Sequence, residues 1–307
     1  MSQRVPGVDA QPLLDVYMRD WLAARTADLR PSTLDTYQRL SRLHILPRLG
    51  GLPLGDLTPL RLQAWLGELA QTERRGGGRL STRTVTAAMS VLRAALADAV
   101  RFGILTESPF KRVRSLRSSP RLVASFTLEE VRQLDAVGSR HRLGPLFSFL
   151  WQTGLRIGEA LALRWSDVDL TQQSLRVSRN AAEVAGHIIL GSPKTAAGLR
   201  EIALAPQTVA LLRRQRDHLL IEGQGQSGLV FPSRRGTILS RRNVARAWAM
   251  VCHEAGLPAH GLHALRHTNA SLQLLAGVGI WEIAAEPAQP LEVLRKTLGR
   301  VVVLAGG

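Results

Sequence analysis

Apolar side chains recur every three or four residues along the first third of the chain, which predicts a helical domain. One helix is expected from Pro31 to Leu46. A second should follow Thr58, an N-cap candidate because a proline comes next, and a third should follow Ser81 and end near Gly103. The inward positions of these helices are Leu34, Tyr37, Leu40, Leu62, Trp65, Leu66, Leu69, Val85, Met89, Leu92, Leu96 and Val100.

Beyond residue 125 the pattern changes to helices mixed with short strands. TLEEVRQL predicts a helix with Thr127 as N-cap and Glu130 as its capping-box partner. The segment around Arg156 is predicted to be helical. Strands are expected at residues 175–180, 187–192 and 199–204, and helices at PQTVALLRRQRDHLL, SRRNVARAWAMVCHEAG and HALRHTNASLQLLAG. The predicted fold class is mainly α with a small β-sheet.

Between the two regions lies KRVRSLRSSPRL, which is basic, rich in serine and short of large apolar residues. Such a composition is typical of an exposed connection between domains. We therefore interpret residues 109–124 as a basic linker. It separates a helical domain at residues 10–108 from a mixed α/β domain at residues 125–307.

Positive charge is distributed over both regions. The 307 residues include 40 Lys and Arg against 24 Asp and Glu, a net charge of +16, and residues 1–120 account for +8 with 18 basic and 10 acidic residues. This favours a polyanion that contacts both regions, although a generically basic protein is the alternative. The arginines that we expect to contact phosphate groups of this polyanion are Arg83, Arg93, Arg101, Arg241 and Arg242. The helix face that carries the first three could also simply be exposed to solvent.

Several classes of protein are excluded by composition. The single cysteine, Cys252, rules out an internal disulfide and a multi-thiolate metal site, and it fits a reducing cytoplasm. No apolar run has the length of a membrane span, and the N-terminal residues lack the apolar segment of a secretory signal. We expect no membrane partner.

Arg156 is the first residue whose chemistry needs an explanation. Apolar PLFSFLWQ precedes it by a few residues, and Ile157 and Leu161 follow. A guanidinium in such a helix is costly to bury unless it is paired. Two explanations are open: an ion pair with Glu159 one helical turn away, or a negatively charged ligand.

Two further features suit the same ligand. Lys194, in the turn between two predicted strands, is one of three lysines in an arginine-rich chain, which favours a role that needs a transferable proton. His263 and Arg266, in HALRH, share one helix face. With Arg156 they form a set that suits a phosphate: guanidiniums bind the non-bridging oxygens, histidine relays a proton and lysine protonates a leaving alkoxide. Neither a metal nor a cofactor is required.

Metal chemistry is the competing interpretation. His263 and His267 have the i, i+4 spacing of a metal pair, but HALRH is not H-E-x-x-H and no carboxylate cluster is evident nearby. Asp167 and Asp169 could bind the metal of a nuclease. Such a D-x-D after a helix more often caps a turn.

TGLRIGEALALRWSDVDL, a strand-turn lysine and HALRH, in this order, resemble the tyrosine recombinase (phage integrase) family, and RPSTLDTYQRL is similar to its core-site-binding domain. The resemblance implies that Arg156 and Arg266 are the arginine pair, Lys194 the general acid and His263 the histidine, with Glu159 in support. It also implies duplex DNA as partner, a tetramer on DNA, and an Arg156 that is buried against the scissile phosphate.

The family's nucleophile is a tyrosine near the C-terminus, and here the pattern breaks. The only tyrosines are Tyr17 and Tyr37, and EPAQPLEVLRKTLGRVVVLAGG places Leu298, which cannot act as a nucleophile, at the expected position. A shifted reading frame near residue 283, true inactivation, or a nucleophile from another protomer would each explain this. The leading hypothesis is a site-specific DNA recombinase or integrase. A catalytically inactive, recombinase-derived DNA-binding protein and a metal-dependent nuclease are the alternatives.

Overall fold

The structure of the protein is a computed structural model that describes residues 11–73, 77–116, 124–192 and 198–278. The chain divides into two compact units, Met1–Pro120 and Arg121–Gly307. Each unit has its own hydrophobic core. Within the described ranges, no helix is long and apolar enough to cross a membrane.

The first unit is helical, as the apolar spacing predicts. The predicted caps are present, because Thr58 accepts a hydrogen bond from the backbone N–H of Arg61 and Ser81 accepts one from that of Thr84. Gly103 follows the last helix with a φ of 75°. The helices are α1 (Leu14–Ala24), α2 (Pro31–Leu40), α3 (Leu46–Leu49), α4 (Pro59–Gln71) and α5 (Thr82–Arg101), with 3₁₀ turns at Leu54–Asp56 and Pro109–Arg112.

The helix predicted from Pro31 to Leu46 is present but not uniform. Ser41–Ile45 forms a π-helical turn between α2 and α3, in which the N–H of Leu46 donates to the carbonyl five residues back. Pro47 comes next and has no N–H to continue an α-helical ladder. The wider turn therefore absorbs the proline without ending the helix.

Most of the predicted inward positions are buried in the core of the first unit. The residues that lose nearly all contact with water are Leu40, Leu62, Trp65, Leu66, Leu69, Val85, Met89, Leu92 and Leu96, whereas Leu34, Tyr37 and Val100 are half-buried. Phe110 and Val113, which fall within the predicted linker, are also buried in this core. The described start of that segment thus packs onto the first unit, and residues 117–123 lie outside the described ranges.

The second unit combines helices with short antiparallel strands. Thr127 and Glu130 form the predicted capping box. The elements are α6 (Leu128–Gly138), α7 (Gly144–Thr153), α8 (Ile157–Ala162), β1 (Val168–Asp169), β2 (Ser174–Val177), β3 (Asn180–Val184), β4 (His187–Gly191), β5 (Arg200–Ala203), α9 (Pro206–Ile221), α10 (Arg241–Glu254) and α11 (His263–Leu275).

The strands form two small sheets instead of a single set of three strands. One sheet has the order β1-β2-β5, with Leu175 opposite Ile202, and the other is the β3-β4 hairpin, with Ala181 opposite Leu190. The strand predicted at residues 175–180 is therefore wrong, since it spans the end of β2 and the start of β3. The side chains of Ser178 and Arg179 both bind Asp167, which holds the chain in an irregular connection between the two strands.

The prediction that the segment around Arg156 is helical is also wrong at Arg156 itself. Gly154 ends α7 with a φ of 63°, a left-handed conformation that favours glycine. Arg156 then has an extended backbone and is the N-cap of α8. The break places the arginine at a helix start, where a side chain can reach solvent.

Gly154 is constrained by its neighbours as well as by its backbone. A Cβ at this position would lie 2.6 Å from Oδ1 of Asn269, whose amide donates to the carbonyl of Gln152. The break between α7 and α8 is therefore packed directly against α11.

We predict that Gly154→Ala destabilises the protein by about 2 kcal/mol, of which about 1 kcal/mol is left-handed backbone strain and the rest comes from the displaced Asn269 amide. Gly256→Ala is the matched control, since Gly256 also follows a helix with a φ of 67° but has open space around it. Urea denaturation would measure both variants. Equal losses of stability would contradict the packing explanation.

Candidate active site

Glu159, and not Arg156, is the buried charge at the start of α8. The Arg156 side chain is 45% exposed, whereas that of Glu159 is 3% exposed. The expectation that Arg156 is buried is therefore wrong, because the residue stands at the N-cap and not in the helix interior. Nη1 of Arg156 lies 3.0 Å from Oε1 of Glu159, so the ion pair, one of the two explanations left open by the sequence, is present.

Two arginines surround the Glu159 carboxylate. The backbone N–H of Arg156 donates to Oε2 at 3.0 Å, and Arg200, on β5, donates to Oε2 at 3.0 Å and to Oε1 at 3.4 Å. Burial by itself would raise the pKa of Glu159. The hydrogen bonds and charge of Arg200, followed by the hydrogen bonds from Arg156, more than offset burial and lower the pKa below 4.5.

Arg266 is the buried guanidinium of the site. It is 2% exposed in the first turn of α11, and its Nη1 donates to the carbonyl oxygen of Gly154. That carbonyl belongs to the break two residues before Arg156. Arg266 therefore joins α11 to the turn that leads into α8, which brings the two arginines predicted as a pair to the same region of the unit.

His263 begins α11 and packs edge-on against His267, with ring centroids 4.7 Å apart. Loss of water around the ring lowers its pKa to about 4, with further contributions from His267 and from the charges of Arg266, Arg156 and Arg241. The imidazole is therefore neutral at pH 7. The three arginines that lower this pKa come from the start of α8, from α10 and from α11, so their positive charges all act on one ring.

The other arginines predicted to contact DNA are all on the surface. Arg241 and Arg242 occupy the exposed first turn of α10, and only the former contributes to the charge around His263. On α5, Arg93 lies over the Phe110 ring and Arg101 pairs with Asp98 at 3.1 Å. Arg83 is exposed. Lys194 and Leu298 lie outside the described ranges.

The aspartates considered for metal binding stabilise turns. Asp167 accepts from the backbone N–H of Arg164 and pairs with Arg179, while Asp169 accepts from the backbone N–H groups of Thr171 and Gln172. Among the residues that the structure describes, no group of three or more His, Cys, Asp or Glu side chains could hold a metal ion. The capping interpretation accounts for both carboxylates.

Arg200 is the site residue that the sequence analysis missed. It lies on β5, on the same inward face as half-buried Ile202, and its side chain is 11% exposed. An arginine that alternates with an apolar residue on the inner face of a strand needs a buried carboxylate. This pattern in LREIAL was the available sign, although it does not identify Glu159 as the partner.

Residues 126–285, just over half of the chain, match the phage integrase family. The chain belongs to the phage integrase family. Residues 14–70 match the N-terminal SAM-like domain of phage integrases. Membership in the phage integrase family confirms the predicted family and fold class, and it makes the protein a site-specific recombinase of the type that breaks and rejoins DNA strands.

Individual phage integrase family members resemble the chain over most of its length. The integrase of Mycobacterium phage D29 is 29% identical over 275 residues, which cover 88% of this chain and 70% of that protein. The Tn1549 transposon integrase bound to transposon right-end DNA has a TM-score of 0.78 at 18% identity, covering 93% of this chain and 94% of the other. A lambda integrase tetramer bound to a Holliday junction has a TM-score of 0.71 at 19% identity, covering 94% and 78%. Both structures share the fold.

In this phage integrase family member, Glu159→Gln should destabilise the protein by about 3 kcal/mol at pH 7, because it leaves Arg200 without its buried counter-charge. The folded-state pKa of Glu159 is lowered, so its stabilising effect is complete above pH 4.5 and is lost as the pH falls through the folded pKa. The difference between wild type and variant should therefore shrink below pH 4.5 in urea denaturation. A constant difference would contradict this.

We also expect the Cε1–H resonance of His263 to titrate with a midpoint near pH 4. Arg156→Gln and Arg241→Gln should each raise the midpoint, since each removes a positive charge that opposes protonation. Arg213→Gln is the control, because Arg213 is an exposed arginine on α9 that does not contribute to this pKa. NMR titration measures the wild type and the three variants. A midpoint near 6.5 in the wild type would contradict the influence of burial and of these arginines on the ring.

Proposed function

We propose that this recombinase activates a DNA phosphodiester with Arg156, Lys194, His263 and Arg266. The observation that carries the proposal is the hydrogen bond from Arg266 to the carbonyl oxygen of Gly154, two residues before Arg156. The charges of Arg266, Arg156 and Arg241 also all lower the pKa of His263. Repulsion among these cations is relieved by a bound anion, and a phosphate offers oxygens to several donors at once.

The proposed roles follow from the chemistry of each side chain. Arg156 and Arg266 stabilise the charge that develops on the non-bridging oxygens at phosphorus. His263 is neutral at pH 7, so it has one ring nitrogen to donate and one to accept, which suits a proton relay. Lys194 protonates the departing 5′-oxygen, as arginine effectively cannot.

In the proposed reaction a tyrosine oxygen attacks the phosphorus, a 3′-phosphotyrosyl bond forms and the P–O bond to the 5′-oxygen breaks. The 5′-hydroxyl of a partner strand later reverses the step and releases the tyrosine. Each step exchanges one phosphodiester bond for another, so no ATP is consumed.

The tyrosines of this chain are poorly suited to that attack. Tyr17 is buried, its hydroxyl donates to the carbonyl of Ala95 at 2.7 Å, and burial together with the Asp98 charge raises its pKa to about 12. Tyr37 stacks on Trp21 at 5.9 Å. Both side chains contribute to packing in the first unit, so we propose the position of Leu298 as the place where a nucleophile belongs.

Duplex DNA is the proposed partner, bound by both units and by several copies of the chain. The supporting facts are the net charge of +8 in each part of the sequence, the DNA in the similar Tn1549 integrase structure, and the tetrameric state of the similar lambda integrase structure. Sequencing the gene from the codon for His263 past the stop codon would separate a shifted reading frame from a true substitution of the tyrosine.

The decisive experiment uses a duplex selected from a random-sequence pool by its binding to the chain. We predict that the chain binds this duplex reversibly, and that Leu298→Tyr produces a covalent protein–DNA adduct that survives denaturation. Adding Arg156→Ala should reduce the adduct rate roughly 10²–10³-fold, because a donor to the developing charge is lost. An adduct from the unmodified chain would instead place the nucleophile elsewhere.

The same background tests the lysine. Lys194→Ala should slow adduct formation on ordinary DNA but not on DNA with sulfur at the leaving 5′ position, since a thiolate leaves without a proton. Lys111→Ala is the control, because Lys111 is exposed in the first unit and pairs with Glu107. Equal defects on both substrates would contradict the general-acid role.

A further inference from the structure

The two arginines on Glu159 differ in what surrounds them. Arg156 has a side chain that is 45% exposed, whereas the Arg200 side chain is 11% exposed and contacts both carboxylate oxygens. Arg200 is also the larger cause of the lowered pKa of Glu159. The buried arginine is therefore the principal partner of the carboxylate, and the exposed arginine is the secondary one.

A count of charges shows what this arrangement achieves. Arg156 and Glu159 alone sum to zero, and a carboxylate 3.0 Å from a guanidinium competes with any phosphate for it. With Arg200 included, the three groups sum to +1. Since Arg200 is the more buried of the two cations, the excess positive charge lies on the solvent side, at Arg156.

Arg200 also contacts the end of the connection between β4 and β5. Its Nη1 donates to the carbonyl oxygen of Gly198 at 3.3 Å, so one side chain binds both the Glu159 carboxylate and the backbone just after residues 193–197. Arg200 does not contribute to the lowered pKa of His263, whereas Arg156 does. The hydrogen bonds of Arg200 to Glu159, which in turn binds Arg156, are the route by which Arg200 acts on Arg156.

We propose that Arg200 is a positioning residue of the recombinase: it binds and neutralises Glu159, so that Arg156 keeps its orientation and its net positive charge for the phosphate. This role rests on the proposed function of Arg156. It differs from a purely structural role, because it requires that the harm done by losing Arg200 comes from the negative charge that Glu159 then directs at Arg156.

The test measures binding of inorganic phosphate to the full chain through the Cε1–H resonance of His263, which is assigned with His263→Gln. Arg200→Gln should weaken phosphate binding about tenfold, the equivalent of about 1.4 kcal/mol. The double variant Glu159→Gln/Arg200→Gln should recover to within about threefold of wild type, since the competing carboxylate is gone. Arg142→Gln is the matched control, because it breaks another Arg–Glu pair of the second unit, with Glu222.

The outcomes distinguish a failure of the positioning role alone from a failure of the proposed phosphate site. Recovery in the double variant, with Arg142→Gln binding like wild type, supports the positioning role. A double variant as weak as Arg200→Gln, or an Arg200→Gln that binds like wild type, would overturn it. A wild-type chain without a phosphate response at His263 would overturn the proposed phosphate site and this role together. If Arg200→Gln does not fold, the double variant, which leaves no unpaired buried charge, is compared directly with wild type. Phosphate binding within about threefold of wild type supports the positioning role, and weaker binding overturns it.

Discussion

The buried carboxylate of Glu159 is the interaction on which the rest of the site depends. It connects α8 with Arg200 on β5, which comes 41 residues later in the chain, and it accepts a hydrogen bond that fixes the backbone of Arg156 at the start of the helix. A carboxylate at 3% exposure is stable only because its oxygens are saturated by charged and backbone donors. Close packing maintains this geometry, since a Cβ at Gly158 would lie 2.4 Å from Oδ1 of Asn180 on β3.

The parts of the fold that could be predicted from the sequence are those with local causes. Thr58, Ser81 and Thr127 cap helices through hydrogen bonds that span three residues, and the apolar stripes of α4 and α5 report burial directly. The strand at Asn180–Val184 cannot be predicted from the sequence, because its apolar residues are two alanines and a valine, which indicate a strand only weakly. The strand predicted at residues 175–180 extends too far, because its true end is set by the hydrogen bonds of Ser178 and Arg179 to Asp167, and these tertiary contacts leave no local pattern.

In the site, the sequence indicates residue types well and environments poorly. The i, i+3 spacing makes the pairing of Arg156 with Glu159 one of two open explanations. HALRH places Arg266 and His267 near His263, but it does not reveal the influence of Arg156 and Arg241. Which member of the pair is buried depends on the left-handed Gly154 and on a contact with Arg200, and neither is encoded in local spacing. The burial of Arg266 depends likewise on a carbonyl 112 residues earlier in the chain.

Arginine and lysine suit different roles in such a site. A guanidinium keeps its charge at any physiological pH and has five donors in a fixed plane, so Arg200 can bind a carboxylate and a backbone carbonyl at once. A lysine offers fewer fixed contacts but can release a proton. In a chain with 37 arginines and three lysines, the cations that hold structure or charge in the described site are arginines. The one role for which arginine is chemically unsuited is the proton donation that we assign to Lys194.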